Sequence, residues 1–177
     1  RECARMSGFK PLFESVADNP FLEPFYQDPI RWAYTLQSYF LYRRYNDHTA
    51  EGHIILDRSL YGDVCFANML HRDGTLSQKE YDCYLSHYNT LEPLLPPLDL
   101  CIILNASPED ALERVQKRDR GFETDLPLEY LRNLSSEIEK IPSRLRGSTK
   151  VIQLDWSDMT PSQISLKCYD LVRTLFL

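Results

Sequence analysis

A parallel α/β sheet with helices on both faces is the fold class that the sequence predicts, on three observations. Ile54-Ile55-Leu56, Leu98 to Leu104 and Lys150 to Asp155 are short, largely aliphatic runs of the kind shown by strands buried on both faces. Each is followed by a helical segment, and two of those helices open with the start signals Ser107-Pro108 and Thr160-Pro161. Strand and helix alternate along the whole chain, as parallel strands joined by helical crossovers require.

The chain of 177 residues is read as one domain, with a hydrophobic fraction of 43% and an aromatic fraction of 12% that suit a globular core. No apolar run reaches the length of a membrane span, and Arg1 to Met6 lacks the apolar core of a signal peptide, so no membrane association is expected. A net charge of -6 argues against a nucleic-acid groove, which needs a basic face. The five cysteines are spread out with no Cys-x-x-Cys pair, which suits a reducing compartment and argues against a zinc site or a disulfide framework. The expected location is cytoplasmic, or mitochondrial should a transit peptide precede this sequence.

In order, Arg1 to Ser7 reads as the tail of a helix capped by Gly8, and Phe9 to Glu14 as an extended segment ending in an acid. Asn19 to Pro29, rich in proline and aromatics, is a structured loop with at most short helical turns. Asp28-Pro29 starts a helix expected to reach about Tyr45. Gln37 and Arg44 lie seven apart on its otherwise apolar face. Burying an amide and a guanidinium is costly without partners, so they either satisfy neighbours in the fold or await a polar ligand.

The central stretch is His53 to Ser59, a strand running into Asp57, Arg58 and Ser59. In an open α/β sheet the ligand crevice lies beyond the carboxyl ends of the strands, which is where Asp57 and Arg58 would project; a salt-bridged turn is the alternative. A helix follows from Leu60 to about Leu70, with Asp63 one turn beyond Arg58, and His71 to Leu76 is a turn. Ser77-Gln78-Lys79-Glu80 is a capping box for a helix to about Leu91. Its side bearing Tyr81, Tyr84, Leu85 and Tyr88 suits the core or a subunit contact.

Pro93 to Pro97 interrupts the chain before the second strand. The helix from Pro108 to about Arg118 ends in Arg114, Lys117 and Arg118, with Arg120 and the pliant Gly121 just beyond. Such cations either complement a helix dipole or form a clamp for an anion such as phosphate. A further helix is expected from Leu126 to Lys140, then the third strand and a last helix from Ser162 to about Leu175.

These residues resemble the deoxyribonucleoside kinase family, of the deoxycytidine, deoxyguanosine and deoxyadenosine kinase type. The resemblance rests on Phe13-Glu14, on Asn19 to Gln37, on Leu56-Asp57-Arg58-Ser59-Leu60-Tyr61-Gly62-Asp63, and on Arg118 to Glu123 followed by Pro127-Leu128-Glu129-Tyr130-Leu131. It implies a P-loop kinase-like three-layer α/β fold spanning residues 1–177 with a lid at about 114–125. It also implies a homodimer and transfer of the γ-phosphate of ATP to a nucleoside 5′-hydroxyl with Mg²⁺. By resemblance Glu14 is the base, Asp57 the metal-holding acid and Arg58 the cation that stabilises the reacting phosphoryl group. Arg114, Arg118 and Arg120 are lid arginines, Tyr26 and Glu123 sugar-hydroxyl ligands, and Gln37, Arg44 and Asp63 base readers that favour deoxyadenosine, deoxyguanosine or deoxycytidine. Phe21, Trp32, Phe40 and Phe66 are either apolar walls of the site or core.

The family's phosphate loop, G-x-x-x-x-G-K-[ST], does not occur in these residues. It is expected just ahead of the Arg1 to Ser7 helix, so the sequence is read as N-terminally incomplete, with weak ATP binding and little turnover as it stands. A catalytically silent structural subunit of the same fold is the competing reading. The survival of Glu14, Asp57, Arg58, Arg118, Arg120 and Glu123 favours the enzyme. Another P-loop kinase would leave Tyr26, Gln37 and Asp63 unexplained.

Overall fold

The computed structural model describes residues 1–13, 19–118 and 126–177, with the backbone alone described for Arg118. Helix α1 (Glu2–Ser7) closes on Gly8, whose left-handed φ of 74° lets its N–H reach the carbonyl of Ala4 at 2.9 Å. Strand β1 (Lys10–Leu12) and the short α2 (Leu22–Gln27) lead to α3 (Pro29–His48), where the Asp28 carboxylate accepts from Arg31 N–H at 3.1 Å. That helix runs a turn past the expected Tyr45. It ends where the Thr49 hydroxyl donates to the carbonyls of Tyr45 and Asn46.

Next come β2 (Ile54–Leu56), α4 (Leu60–Arg72) and α5 (Gln78–Leu91), the last opened by the reciprocal Ser77 and Glu80 capping box. Strand β3 (Leu100–Asn105) and α6 (Pro108–Arg118) precede α7 (Leu128–Ile138) and the single turn α8 (Ile141–Arg144). One helix was expected from Leu126 to Lys140; Pro127 in extended conformation delays its start, and the chain re-forms as α8 around Pro142. Strand β4 (Lys150–Asp155) and α9 (Pro161–Phe176), with a Thr160 and Gln163 capping box, complete the chain.

Both strand pairings among the described residues are parallel. β1 lies on β2 with Lys10 opposite Ile54 and Leu12 opposite Leu56, and β3 lies on β4 from Leu100 opposite Lys150 to Asn105 opposite Asp155. Among the described residues these form two separate pairs, so β2 and β3 each carry a partner along one edge only. This explains a departure from the expected fully buried strands: Ile54 to Leu56 are half-buried, and of β3 only Ile103 is buried.

The densest packing lies instead where α3, α4 and α5 meet, around the fully buried Tyr61, Tyr84, Leu60, Met69, Leu76 and Cys65. The aromatic side of α5 is therefore core, with Tyr84 buried and Tyr81, Leu85 and Tyr88 packed against the cluster. Among the described residues no helix is long and apolar enough to cross a membrane.

A buried carboxylate ties α4 to α7 and α8. Glu137 receives Lys140 Nζ at 2.5 Å, Arg144 Nη2 at 2.9 Å, Asn68 Nδ2 at 3.1 Å and Arg72 Nη1 at 3.4 Å. Burial pushes its carboxyl pKa up, but the hydrogen bonds from Lys140, Asn68 and Arg144 outweigh this and bring it down to about 2. A carboxyl depressed in the folded state lends stability that is complete above the ordinary carboxylate range and is lost as pH falls toward 2. Glu137→Gln should therefore destabilise the fold by roughly 2 kcal/mol, because it uncouples partly buried cations from their counter-charge. The wild type's advantage over Glu137→Gln in urea denaturation should shrink as pH is lowered from 6 toward 3, and an advantage independent of pH would show that Glu137 is not the acid-sensitive group.

Candidate active site

The site begins where β2 ends. Asp57 N–H closes the ladder onto the Leu12 carbonyl at 2.9 Å, and its side chain is exposed beyond the strand. Arg58 then adopts φ 72°, the one positive φ outside glycine among the described residues. A side chain in the left-handed region costs roughly 1–2 kcal/mol, so the surrounding structure imposes this turn. Ser59 returns to extended backbone, and its carbonyl accepts from Gly62 and Asp63 N–H at 2.9 and 3.2 Å to start α4. The kink lays the Arg58 guanidinium over the Phe66 ring, 4.7 Å from its centroid.

The second part is the polar stripe of α3. Arg44 and Asp63 are both 3% exposed, and Arg44 Nε stands 3.3 Å from Asp63 Oδ2, joining α3 to the first turn of α4. The contact is an ion pair rather than an aligned hydrogen bond, with Asp47 a more distant partner of Arg44 at 4.0 Å. Two turns earlier on the same face, about 10 Å along the axis, Gln37 is also 3% exposed, and its Oε1 accepts no hydrogen bond among the described residues. A buried amide oxygen without a donor costs on the order of 1–3 kcal/mol, a cost that a ligand with a donor edge removes.

Behind the ion pair lies a brace that the sequence reading missed. His48, one turn beyond Arg44 and buried, sets its ring edgewise to Tyr61, with centroids 6.4 Å apart. The Tyr61 hydroxyl donates to Glu92 at 2.8 Å, and Arg146 Nε reaches the same carboxylate at 2.6 Å. Burial lowers the His48 pKa, so the imidazole stays neutral. Its i, i+4 spacing from Arg44 was the only trace of this in the sequence.

Tyr26, on α2, is half-buried with its ring edgewise to Phe25 at 5.4 Å. Of the proposed aromatic walls, Phe21 stacks on Trp32 at 5.9 Å, and all four of Phe21, Trp32, Phe40 and Phe66 also pack on the core cluster. Arg114, expected in a lid, is seated at the carboxyl end of β4. It donates to the Trp156 carbonyl at 2.8 Å and lies 4.1 Å over the Trp156 ring. Its guanidinium thus ties α6 to the loop after β4. Glu14, Arg120, Glu123 and the side chain of Arg118 lie outside the described residues, as does the lid from residue 119 onward. The described residues contain no cluster of three potential metal ligands. A lone exposed carboxylate such as Asp57 fits a magnesium ion held mainly by nucleotide phosphates, which needs only one or two protein carboxylates.

A parallel α/β core with polar groups at its strand ends and a polar stripe along one buried helix has the arrangement in which open α/β sheets place their ligand crevices. A family model described as deoxynucleoside kinase matches residues 3–174, and the chain belongs to that family. It is 35% identical over 159 residues to a deoxyadenosine kinase of Dictyostelium discoideum, covering 86% of this chain and 64% of that protein. To a Dictyostelium deoxyguanosine kinase it is 32% identical, covering 85% of this chain and 56% of the relative. With a deoxyadenosine/deoxycytidine kinase of Bacillus subtilis it shares 34% identity, covering 77% and 66%. The chain therefore spans between 56% and 66% of the length of these curated relatives. A solved deoxyadenosine kinase of M. mycoides, with dCMP and dCDP bound, superposes with a TM-score of 0.82 at 24% identity, covering 98% of this chain and 87% of that one. That likeness establishes the P-loop kinase fold.

The positive φ of Arg58 makes a stability prediction. Arg58→Gly should leave stability within about 1 kcal/mol of wild type, since relief of the left-handed strain offsets the lost ring contact. Arg58→Val should cost roughly 1–2 kcal/mol, because a β-branched residue tolerates that conformation worst. Equal losses for both in chemical denaturation would show that the turn is not strained.

Proposed function

We propose that the protein phosphorylates the 5′-hydroxyl of deoxyadenosine, deoxyguanosine or deoxycytidine with ATP, as a deoxynucleoside kinase of nucleotide salvage. The observation that carries this reading is the buried stripe of Gln37, Arg44 and Asp63. An amide with an unengaged oxygen, two turns along the same helix face from a guanidinium paired with a carboxylate, offers donors and acceptors that suit the edge of a nucleobase. The relatives named for deoxyadenosine, deoxyguanosine and deoxycytidine support the substrate class.

In this reading Tyr26 and Glu123 hold the sugar 3′-hydroxyl, and Glu14 accepts the proton of the attacking 5′-hydroxyl. Arg58, aimed by its left-handed backbone, balances charge on the transferring phosphoryl group. Asp57 holds Mg²⁺ directly or through water, and the ion neutralises phosphate charge when it is bound. Arg118 and Arg120 close on the nucleotide, with Arg114 anchoring the helix from which they extend. The protein acts as a homodimer, for which the exposed Ile30 and Tyr42 on α3 supply apolar surface. The proposed compartment is the cytoplasm or, with a transit peptide, the mitochondrion.

Incubating the full-length protein with ATP, Mg²⁺ and each of deoxyadenosine, deoxyguanosine, deoxycytidine and thymidine should yield a 5′-monophosphate from at least one of the first three. No product from a folded protein would favour the silent structural subunit instead. Glu14→Gln should lower kcat about a hundredfold or more with nucleoside KM little changed, and Gln37→Leu should raise KM on the order of tenfold or more with a smaller effect on kcat. A Gln37→Leu enzyme of normal KM would remove Gln37 from base reading.

A further inference from the structure

His48, the last residue of α3, is 3% exposed, and neither of its ring nitrogens makes a hydrogen bond among the described residues. A histidine in that state is a poorer core residue than phenylalanine, which fills a similar space with no nitrogen to satisfy. What phenylalanine lacks is the capacity to take up a proton near neutral pH.

The surroundings leave that proton no welcome. The ring stands edgewise to Tyr61 of α4, and the nearby acid is already engaged: Glu92 accepts from the Tyr61 hydroxyl at 2.8 Å and pairs with Arg146 at 2.6 Å. Arg146 is held in turn by the Leu95 carbonyl at 2.8 Å and the Pro93 carbonyl at 3.3 Å. The charged and titratable groups around the ring are Arg44 and Asp47 on α3, Tyr61 on α4, Tyr88 on α5, then Glu92 and Arg146. Arg146 opposes a second cation, whereas Glu92 and the Pro96 carbonyl favour one, and burial outweighs them. The negative end of the α3 dipole also favours a cation, a small effect beside the loss of hydration in so closed a site.

We propose that His48 is an acid-sensitive latch on the end of α3: neutral, it seats the last turn of the helix against Tyr61, and protonated, it leaves that seat for water, so that acid opens this turn while the rest of the fold stays closed. The turn is held at its outer side by the exposed Thr49 hydroxyl on the Tyr45 and Asn46 carbonyls, a contact that yields readily at a helix end. A histidine released to water titrates near about 6.5, so the opened form is favoured roughly twentyfold more at pH 5 than at pH 7. The seated ring resists the proton, so the stability it lends is complete above that value and is lost as pH falls below it. Glu137 acts in a separate, more acid window. Arg44 lies one turn before the latch, which puts the acid-sensitive end of α3 beside the proposed base-reading stripe, but the latch does not depend on what that stripe binds.

The test is hydrogen exchange of the full-length wild type, His48→Phe and His48→Gln at pH 7, 6 and 5, corrected for intrinsic exchange rates, with an NMR titration of the His48 imidazole. Protection of the amides from residue 45 to 49 should fall on the order of tenfold or more between pH 7 and pH 5 in the wild type, while the middle of α4 around Met69 stays protected. Both variants should hold their protection at the end of α3 across the same range. The other histidines, His53, His71 and His87, are common to all three proteins, so the difference isolates His48. Should His48→Phe not fold, His48→Gln alone is the reference. An equal fall in wild type and variants would overturn the latch, as would a loss spread evenly through α4 and α5, which is whole-molecule unfolding. A His48 imidazole that titrates near 6.5 with the end of α3 still protected would overturn it too.

Discussion

The ion pair between Arg44 and Asp63 is the constraint on which the rest of the arrangement depends. Removing two charges from water costs several kcal/mol per ion, and mutual attraction at 3.3 Å in a poorly polarisable interior recovers that only with good geometry. A pair of leucines would hold α3 to α4 at least as tightly. What the charges add is a demand on register, because a shift of either helix would strand a buried ion. The register fixed there also sets where Gln37 lies relative to Arg58, since each is rigidly tied to one member of the pair by helical or turn geometry. Gln37 on α3 and Arg58 at the head of α4 are thereby held at a set separation.

α4 transmits that constraint because its two halves are anchored differently. Its C-terminal half is tied by Asn68 and Arg72 to Glu137, and the Cys65 thiol is enclosed by Arg144 at 3.0 Å and the carbonyls of Tyr61 and Glu137. Burial raises that thiol to about 11, Arg144 notwithstanding, so it is an inert packing group rather than a nucleophile. The N-terminal half instead sets Asp63 against Arg44 of α3, directly after the turn at Arg58 and the Ser59 carbonyl that opens the helix. The helix is thus a lever fixed at its far end, with its near end shaped by the left-handed turn at Arg58.

Much of this was legible in the sequence wherever the cause was local. The Ser77 and Glu80 box, the Asp28-Pro29 start, the Gly8 stop and the span of β4 follow from side chains a few residues apart, and the structure has them where expected. The polar stripe of Gln37 and Arg44 was visible as an anomaly, two polar residues at helical spacing on an apolar face. Partners distant in sequence were not legible. Half-burial of β2 depends on which edges find a neighbour, the seat of Arg114 on Trp156 joins elements 42 residues apart, and the brace of His48, Tyr61, Glu92 and Arg146 joins four chain segments. Tyr84 was recognised as one of a row of aromatics, but the spacing alone does not tell which member of the row is fully buried.

The buried pair also bears on how the proposed site could change its substrate. Asp63 and Arg44 compensate each other's charge, so replacing either alone exposes the fold to the cost of a stranded ion, whereas groups around them can be altered without that penalty. If Gln37, Phe21 and Trp32 line the proposed site, substrate preference can therefore shift more readily through these neutral side chains than through the pair itself. The low tolerance of the buried pair to single substitution follows from electrostatics whether or not a ligand is bound.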